Sequence, residues 1–497
     1  MHPRSGTGTC KPWALVAVIS IGASIAISAG CGTYGRSRHD VDRAVHDWHR
    51  RRATLAAKHT GDSPPENVED DAPADAPVRP LDIYIREAMA RNPGIQAAIA
   101  DARAKLERIP QVTSLPDPLI RTIIRPEPIQ TAAGDAVFTL GVGQTIPMPA
   151  RLDRKGRIAA AEARMAIEQL NATRLRVIAD VERAYYRLYL ADRSLELAIA
   201  NRKLLEALEQ VVESQYRVGK VEQQDVLRVQ TELSRLFNDE SRYERQHDSA
   251  AAAMNNLLDR PVASAVPVTE PAIPKEVHGR VEALIELARE HNPELAALLH
   301  QTDRDRESVK LADLGYWPDL TAGFEWTKQN GREAFKPPLA PENANRASEQ
   351  GDDNWALTFQ VNLPIWSQRI EAAKREARAN LERTLQARRA ASNMVAFRVY
   401  DAWVRVQTQQ DTIQLLESTL IPQARQTYEV SLSSYQVGGT GFITVIDNWR
   451  NVLSFELMLH RETAGLETAF AELQREVGLQ LVREKVADCG QVEGVQP

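Results

Sequence analysis

Ten histidines and three cysteines are the side chains with which this chain could bind a metal or form a covalent intermediate. His39, His46, His49 and His59 fall together near the N-terminus, but no cysteine or fixed carboxylate spacing accompanies them, so they read as solvated polar residues. His291 and His300 lie on one helical stretch beside Glu290 and Glu294. Helical metal ligands recur three or four residues apart, which these two are not, and they read as surface residues. Cys10, Cys31 and Cys489 are too few and too distant for a disulfide framework or a CxxC site. No G-x-x-x-x-G-K-[ST], H-E-x-x-H or G-x-S-x-G string occurs. Carboxylates alternate with basic residues, as in Arg369-Ile370-Glu371 and Lys374-Arg375-Glu376, the pattern of solvated helix faces. Neither an enzyme nor a resident metal or cofactor is expected, and the scattered methionines and histidines form no metal relay.

The elements that carry these residues begin after an address. Trp13 to Gly30 is an uncharged apolar run of 18 residues behind His2, Arg4 and Lys11, the shape of a signal peptide over 1–30. Its length also suits a membrane anchor, at about 1.5 Å per residue across about 30 Å of hydrocarbon. The run ends Ser28-Ala29-Gly30-Cys31, which resembles a lipobox with Ser28 where Leu is usual, and makes Cys31 the candidate lipidation site. Residues 31–80 combine Arg50-Arg51-Arg52, an acidic stretch and five prolines without apolar period, and read as a flexible tether. The remainder, within 497 residues that are 43% hydrophobic, can bury a sizeable core. A net charge of -6 advertises no nucleic acid, and a mean hydropathy of -0.38 excludes a polytopic helical membrane protein.

The chain is written twice. Asn92-Pro93 returns as Asn292-Pro293, Leu115-Pro116-Asp117 as Trp317-Pro318-Asp319, FTLGVGQTIP (138–147) as WALTFQVNLP (355–364), and Tyr216-Arg217-Val218-Gly219 as Tyr435-Gln436-Val437-Gly438. The repeats are set at 81–262 and 281–482, with a linker at 263–280 and a tail at 483–497. Each predicts a helix of about 28 residues, two short strands, a very long helix, a glycine turn and a medium helix. The long helices show coiled-coil spacing. Ile178, Val181, Tyr185, Leu188, Leu195 and Ile199 form one seam, with Asp192 as a polar miss. Val395, Val399, Ala402, Val406, Ile413, Leu416 and Leu420 form another, missing at Gln409, and Val226 to Tyr243 a third, missing at Glu240. Leu152 to Glu213 would span about 93 Å, so two shorter helices end to end could lie beside one long one. Pro422 is expected to kink or interrupt the second long helix.

The strands are two-faced. Leu320, Ala322, Phe324 and Trp326 alternate with Thr321, Gly323, Glu325 and Thr327, and Trp355 to Leu363 alternates likewise. Such strands fit a soluble sandwich or a membrane barrel with a wet interior. Strand length, terminal Trp and the long polar loop from Lys328 to Asn354 favour the barrel. The first repeat is less regular, because its strand at 119–125 carries Arg121 and Arg125. Four strands cannot close a barrel, which takes about eight at least, so an oligomer is expected.

This order of motifs resembles the TolC family of outer-membrane efflux channels from about residue 81 to 482. The fold class is then mainly α with a membrane β-barrel portion, four strands per protomer completing a trimeric twelve-stranded barrel above a coiled-coil periplasmic tunnel. Cys31 resembles the lipoprotein branch that serves resistance-nodulation-division pumps. The resemblance implies a homotrimer in the outer membrane that works with a periplasmic adaptor (membrane fusion) protein and an inner-membrane transporter, and passes drugs or metal ions. It places Tyr216, Gly219, Tyr435 and Gly438 at the periplasmic tip, where adaptors dock, and makes Asp225 and Asp447 gate or helix-start carboxylates. Those aspartates are not repeat equivalents, since the Y-x-V-G alignment sets Asp225 against Thr444 and Asp447 against Arg228. The rival readings are a coiled-coil envelope lipoprotein acting as spacer or adhesin, and the outer-membrane component of a protein secretion system.

Overall fold

The computed structural model describes residues 38–39, 80–131, 134–267, 280–331 and 352–481. The signal run, Cys31, nearly all of the tether with His46, His49 and His59, most of the polar loop and of the linker, and the tail with Cys489 lie outside the described residues. The first repeat contains α1 (Leu81–Arg91), α2 (Pro93–Thr113), β1 (Leu119–Thr131), β2 (Gly134–Ile146), α3 (Pro149–Arg217) and α4 (Gln223–Leu257). The second contains α5 (Val281–His291), α6 (Pro293–Asp313), a 3-10 turn at Leu314–Tyr316, β3 (Leu320–Asn330), β4 (Asn354–Val361), α7 (Ser367–Leu415), α8 (Ile421–Gln436) and α9 (Phe442–Val477). Two compact units are formed: one includes 102–165 and 298–387, the other 80–101, 166–297 and 388–481.

The single opening helix expected in each repeat is in fact two, broken at Asn92 and Asn292, because a residue before proline is driven out of the helical region. The broken joint is held in the same way twice. Asn92 Oδ1 accepts the amides of Gly94 (2.9 Å) and Ile95 (3.4 Å), while its Nδ2 donates to the Leu257 carbonyl (2.9 Å). Asn292 Oδ1 accepts those of Glu294 (2.9 Å) and Leu295 (3.2 Å), and its Nδ2 donates to the Glu476 carbonyl (2.8 Å). Each Asn caps one helix and ties it to the end of another, and Pro at the first helical position costs nothing because its missing N–H would be unpaired anyway.

The unit that includes 166–297 and 388–481 packs along the predicted seams. Val181, Leu188, Val399 and Val406 are wholly buried, and two clusters center on Val181 with Tyr84 and Met254, and on Val399 with Phe470 and Leu473. The polar misses in the seams are paired or accommodated. Asp192 meets His247 on α4, Glu240 accepts a hydrogen bond from Arg202 at 2.7 Å, and Gln409 fills the space beside Gly465, where an added Cβ would clash with its Nε2. At Pro422 the long α-helix is interrupted, as expected, but the helical path does not end. A π-turn at Leu416–Leu420 precedes the proline and helical dihedrals continue through Ile421, so the missing N–H and the ring are absorbed by one widened turn.

The other unit contains the antiparallel sheet in the order β1-β2-β3-β4. β1 is longer than the 119–125 expected, and its register shifts between Ile124 and Ile129, where Pro126 and Pro128 lack the N–H a ladder requires. His300, expected at the surface, is partly buried. Burial and the charge of Arg164 lower its pKa, and among the described residues its Nδ1 has no hydrogen-bond partner. It also lies on α6 whereas His291 ends α5.

Candidate functional site

At the ends of α3 and α8 the chain reverses twice by the same device. Gly219 N–H donates to the Tyr216 carbonyl (2.9 Å) and Lys220 N–H to that of Gln215 (2.9 Å). Gly438 N–H donates to the Tyr435 carbonyl (3.0 Å) and Gly439 N–H to that of Ser434 (2.8 Å). These paired bonds are Schellman closures, which need a left-handed residue. Gly219 and Gly438 supply it at φ +75° and +79°, and among the described residues no atom lies within 4 Å of a Cβ added at either, so conformation rather than space requires glycine.

The two turns differ in how they bury their aromatics. Tyr216 is 45% exposed, whereas Tyr435 is 6% exposed against Phe442, ring centroids 5.4 Å apart. The counterpart of Phe442 at the start of α4 is Gln223, so Tyr216 has no aromatic to lean on. Tyr435 and Phe442 join Leu208, Val229, Ile446 and Trp449 in one cluster that binds the two hairpins together. Val218 and Val437, one on each turn, are 67% and 85% exposed.

Asp225 lies in the first turn of α4, where a carboxylate suits the positive end of the helix. Burial and then the charge of Glu222 push its pKa up against the opposing effect of Arg228. Among the described residues the Tyr435 hydroxyl has no hydrogen-bond partner, and burial followed by the Asp225 charge raises its pKa, so residues from the two repeats meet here. Asp447 is not at the helix start as expected. It falls in the second turn of α9 and pairs with Arg450 at 3.0 Å. Arg450 also donates to Glu232, which is 5% exposed and accepts from Arg235 at 2.8 Å. Trp449 Nε1 donates to Asn201 at 2.8 Å. Glu232, Arg450 and Trp449 escaped the sequence reading. Only the one-helical-turn spacing of Asp447 and Arg450 could have signalled them.

The sheet sorts its side chains by chemistry. Thr139 and Thr327 share a hydrogen bond at 3.0 Å, as do Thr145 and Thr321. Arg125 donates to Thr139 at 2.9 Å, and Arg121 is ion-paired with Glu325, so both arginines of β1 belong to the polar face. On the opposite face Leu140, Val142, Phe324, Trp355 and Phe359 are exposed, and Ile120 and Ile124 are 75% and 72% exposed. An exposed apolar face of this extent marks a surface that meets lipid or protein. Among the described residues no helix is long and apolar enough to cross a membrane. No group of three or more His, Cys, Asp or Glu among them could hold a metal ion.

Comparison with known proteins accounts for the duplicated order. The model of the outer membrane efflux protein family matches residues 84–260 and again 284–479. The chain belongs to the outer membrane efflux protein family. Its place is therefore the outer membrane of a Gram-negative bacterium. The outer membrane protein TolC of Vibrio cholerae is 23% identical over 207 residues, 41% of this chain, and the aligned part spans 45% of that relative. The fold is similar to that of the outer-membrane channel OprN, with a TM-score of 0.67 at 17% identity over 80% of this chain and 89% of that one. It is similar too to VceC of Vibrio cholerae, with a TM-score of 0.65 at 18% identity over 80% and 96% of the two chains.

Proposed function

We propose that this chain is the outer-membrane channel of a tripartite efflux system, a passive conduit for drugs or metal ions. The observation that carries the reading is the two-faced sheet of four strands, apolar on one side and lined with Thr, Arg and Glu on the other. Three copies would close a barrel of twelve strands with its apolar face to lipid and its polar face to water. A periplasmic adaptor would dock on the turns at Tyr216, Gly219, Tyr435 and Gly438, where Val218 and Val437 are exposed. An inner-membrane transporter would supply the energy. Asp225 and Asp447 would line the aperture, and Cys31 would carry lipid after removal of 1–30, leaving 31–80 as a tether before the repeats at 81–262 and 281–482.

The test is conductance of the detergent-purified mature protein in planar bilayers, with its oligomer mass measured in parallel. A trimer with discrete conductance steps that change on Asp225→Asn or Asp447→Asn is the expected result. A soluble, non-conducting assembly overturns the proposal.

A further inference from the structure

Among the described residues the two outer edges of the sheet, β1 and β4, are unpaired, and the repeat itself specifies how they meet. We infer that β4 of one copy pairs antiparallel with β1 of a second copy in a single register, Val361 opposite Ile120 through Ala356 opposite Arg125. The same contact sets Arg369 against Asp117 of the partner subunit. This rests on the proposed ring of copies and specifies its seam.

The argument uses residue correspondence. Asp117 and Asp319 are equivalents 202 residues apart, and Pro147 and Pro364 are equivalents 217 apart. Applied to the hairpins, these offsets carry the observed pair Leu320–Val361 onto Pro118 and Gln144. That is the next step on the observed β1–β2 ladder, in which Leu119 faces Gly143. The two repeats therefore share one hairpin register. The β2–β3 ladder is the seam at which a first repeat meets a second, and a ring of copies must also join each second repeat to the next first repeat. Carrying the observed pairs Gln144–Ala322, Val142–Phe324, Gly141–Glu325, Leu140–Trp326 and Thr139–Thr327 forward gives that other seam. It sets Val361 against Ile120, Phe359 against Thr122, Thr358 against Ile123, Leu357 against Ile124 and Ala356 against Arg125.

Two features that did not enter this arithmetic agree with it. Directly opposed residues in an antiparallel pair share a face. The derived register sets apolar Val361 and Leu357 opposite apolar Ile120 and Ile124, and Gln360 opposite Arg121 on the polar face. A slip of one residue would reverse this match. The ladder also ends where the chemistry ends it, because the next residue, Pro126, has no N–H.

The helix that follows each hairpin supplies the ion pair. Arg151 in the first turn of α3 donates through Nη1 to both carboxylate oxygens of Asp319 (2.8 and 2.7 Å), and through Nη2 to the carbonyls of Leu314 (3.1 Å) and Trp317 (2.9 Å). It locks the first repeat onto the second. Aligning the starts of α3 and α7, with buried Leu152 on buried Ile370, makes Arg369 the equivalent of Arg151, as Asp117 is of Asp319. Both side chains are exposed, and among the described residues neither has an ion-pair partner within the chain. Each is half of a pair whose other half stands on the next copy.

The experiment is disulfide trapping in the full mature chain carrying Cys489→Ser, in outer-membrane vesicles, with oligomer mass determined in parallel by native mass spectrometry. Ile123→Cys with Thr358→Cys, and Ile124→Cys with Leu357→Cys, are expected to give covalent multimers up to the trimer on mild oxidation. Thr358→Cys combined with Arg121→Cys or Arg125→Cys should cross-link at least about tenfold less, because diagonal neighbours about 7–8 Å apart exceed disulfide reach. Arg369→Asp should lower the temperature at which the oligomer dissociates, and adding Asp117→Arg should restore it. A trimer that cross-links at the slipped pairs overturns the register and leaves the ring standing. Covalent dimers from a single Thr358→Cys substitution would mean like edges pairing, and overturn the head-to-tail seam. A monomer in the membrane overturns the ring and the register together. Failure of the charge reversal to restore the oligomer overturns the Arg369–Asp117 pair.

Discussion

Replacing Asn292 by alanine tests the joint that both repeats build at their Asn-Pro step. The side chain is 3% exposed and makes three hydrogen bonds, two as acceptor from the Glu294 and Leu295 amides and one as donor to the Glu476 carbonyl. At about 1 kcal/mol net for each, Asn292→Ala should cost about 3 kcal/mol. A polar cavity of about 410 Å³, bordered by Asn292, Arg176, Arg398 and Arg475, lies beside the joint, so water can reach the freed groups and hold the loss near that figure. Asn292→Asp separates the two roles. It keeps the acceptor for the helix amides and adds negative charge at a helix N-terminus, worth about 0.5 kcal/mol, but loses the donor to Glu476. The aspartate variant should therefore lose about 0.5 kcal/mol, clearly less than the alanine. Urea unfolding followed by circular dichroism gives the totals, and amide hydrogen exchange at Glu294 and Leu295 gives the cap alone. Exchange there should quicken in the alanine variant and stay slow in the aspartate. An alanine variant within about 0.5 kcal/mol of the parent, with exchange unchanged, would refute the capping argument.

Three further outcomes follow from the turns and their supports. Gly438→Ala should destabilise the turn by about 1–2 kcal/mol, the cost of a left-handed alanine, with quicker amide exchange at Gly439 and no effect on the sheet. Asp225 has a raised pKa when folded, so its stabilising contribution belongs to the protonated form and is lost as pH rises through that value. Asp225→Asn should accordingly melt above the parent at neutral pH, and the difference should shrink as pH falls through the raised value and vanish below about pH 4. Glu232→Ala strips the buried acceptor from Arg235 and Arg450, whose side chains are 62% and 41% exposed. Water can therefore take over the arginines, and the expected loss in a melting experiment is about 1–2 kcal/mol, below that of a fully buried pair.

Much of this architecture was legible because apolar period survives in any sequence that must bury a face. The seam through Val181 and Leu188 and the seam through Val399 and Val406 are both legible residue by residue, and those residues are wholly buried. Asp192, Glu240 and Gln409 looked like errors in the pattern because periodicity describes one helix, whereas their partners His247 and Arg202, and the space beside Gly465, belong to others. Arg121 and Arg125 made β1 look irregular for a related reason. A strand read by itself has no neighbour, and Glu325 stands 204 residues away on a strand that is not adjacent to β1 in the sheet. Long-range polar pairing is invisible to local pattern, while repeat comparison is not local and reaches across the chain.

Repeat comparison also shows where the two halves have ceased to be equivalent, and these places fall at the turns. The Schellman closures at Gly219 and Gly438 are the same to the hydrogen bond, as are the caps at Asn92 and Asn292. Around them the chemistry differs: Tyr435 is buried on Phe442 where Tyr216 is exposed above Gln223, and Asp447 reaches Arg450 where Asp225 approaches Tyr435. Backbone devices are retained because only a few residue types can cap a helix or adopt positive φ. Side chains on that frame are free to diverge. A ring of three such chains would therefore present two kinds of turn in alternation, one anchored by an aromatic pair and one with its tyrosine exposed. Loosening the anchored kind should disturb both hairpins, since Tyr435, Phe442 and Trp449 belong to the cluster that joins them. Phe442→Ala should therefore cost about 3–5 kcal/mol and quicken exchange in α4 as well as α9, whereas Tyr216→Ala should leave both helices unchanged. Equal effects from the two substitutions would show that the turns are energetically equivalent, and would sink the argument from asymmetry.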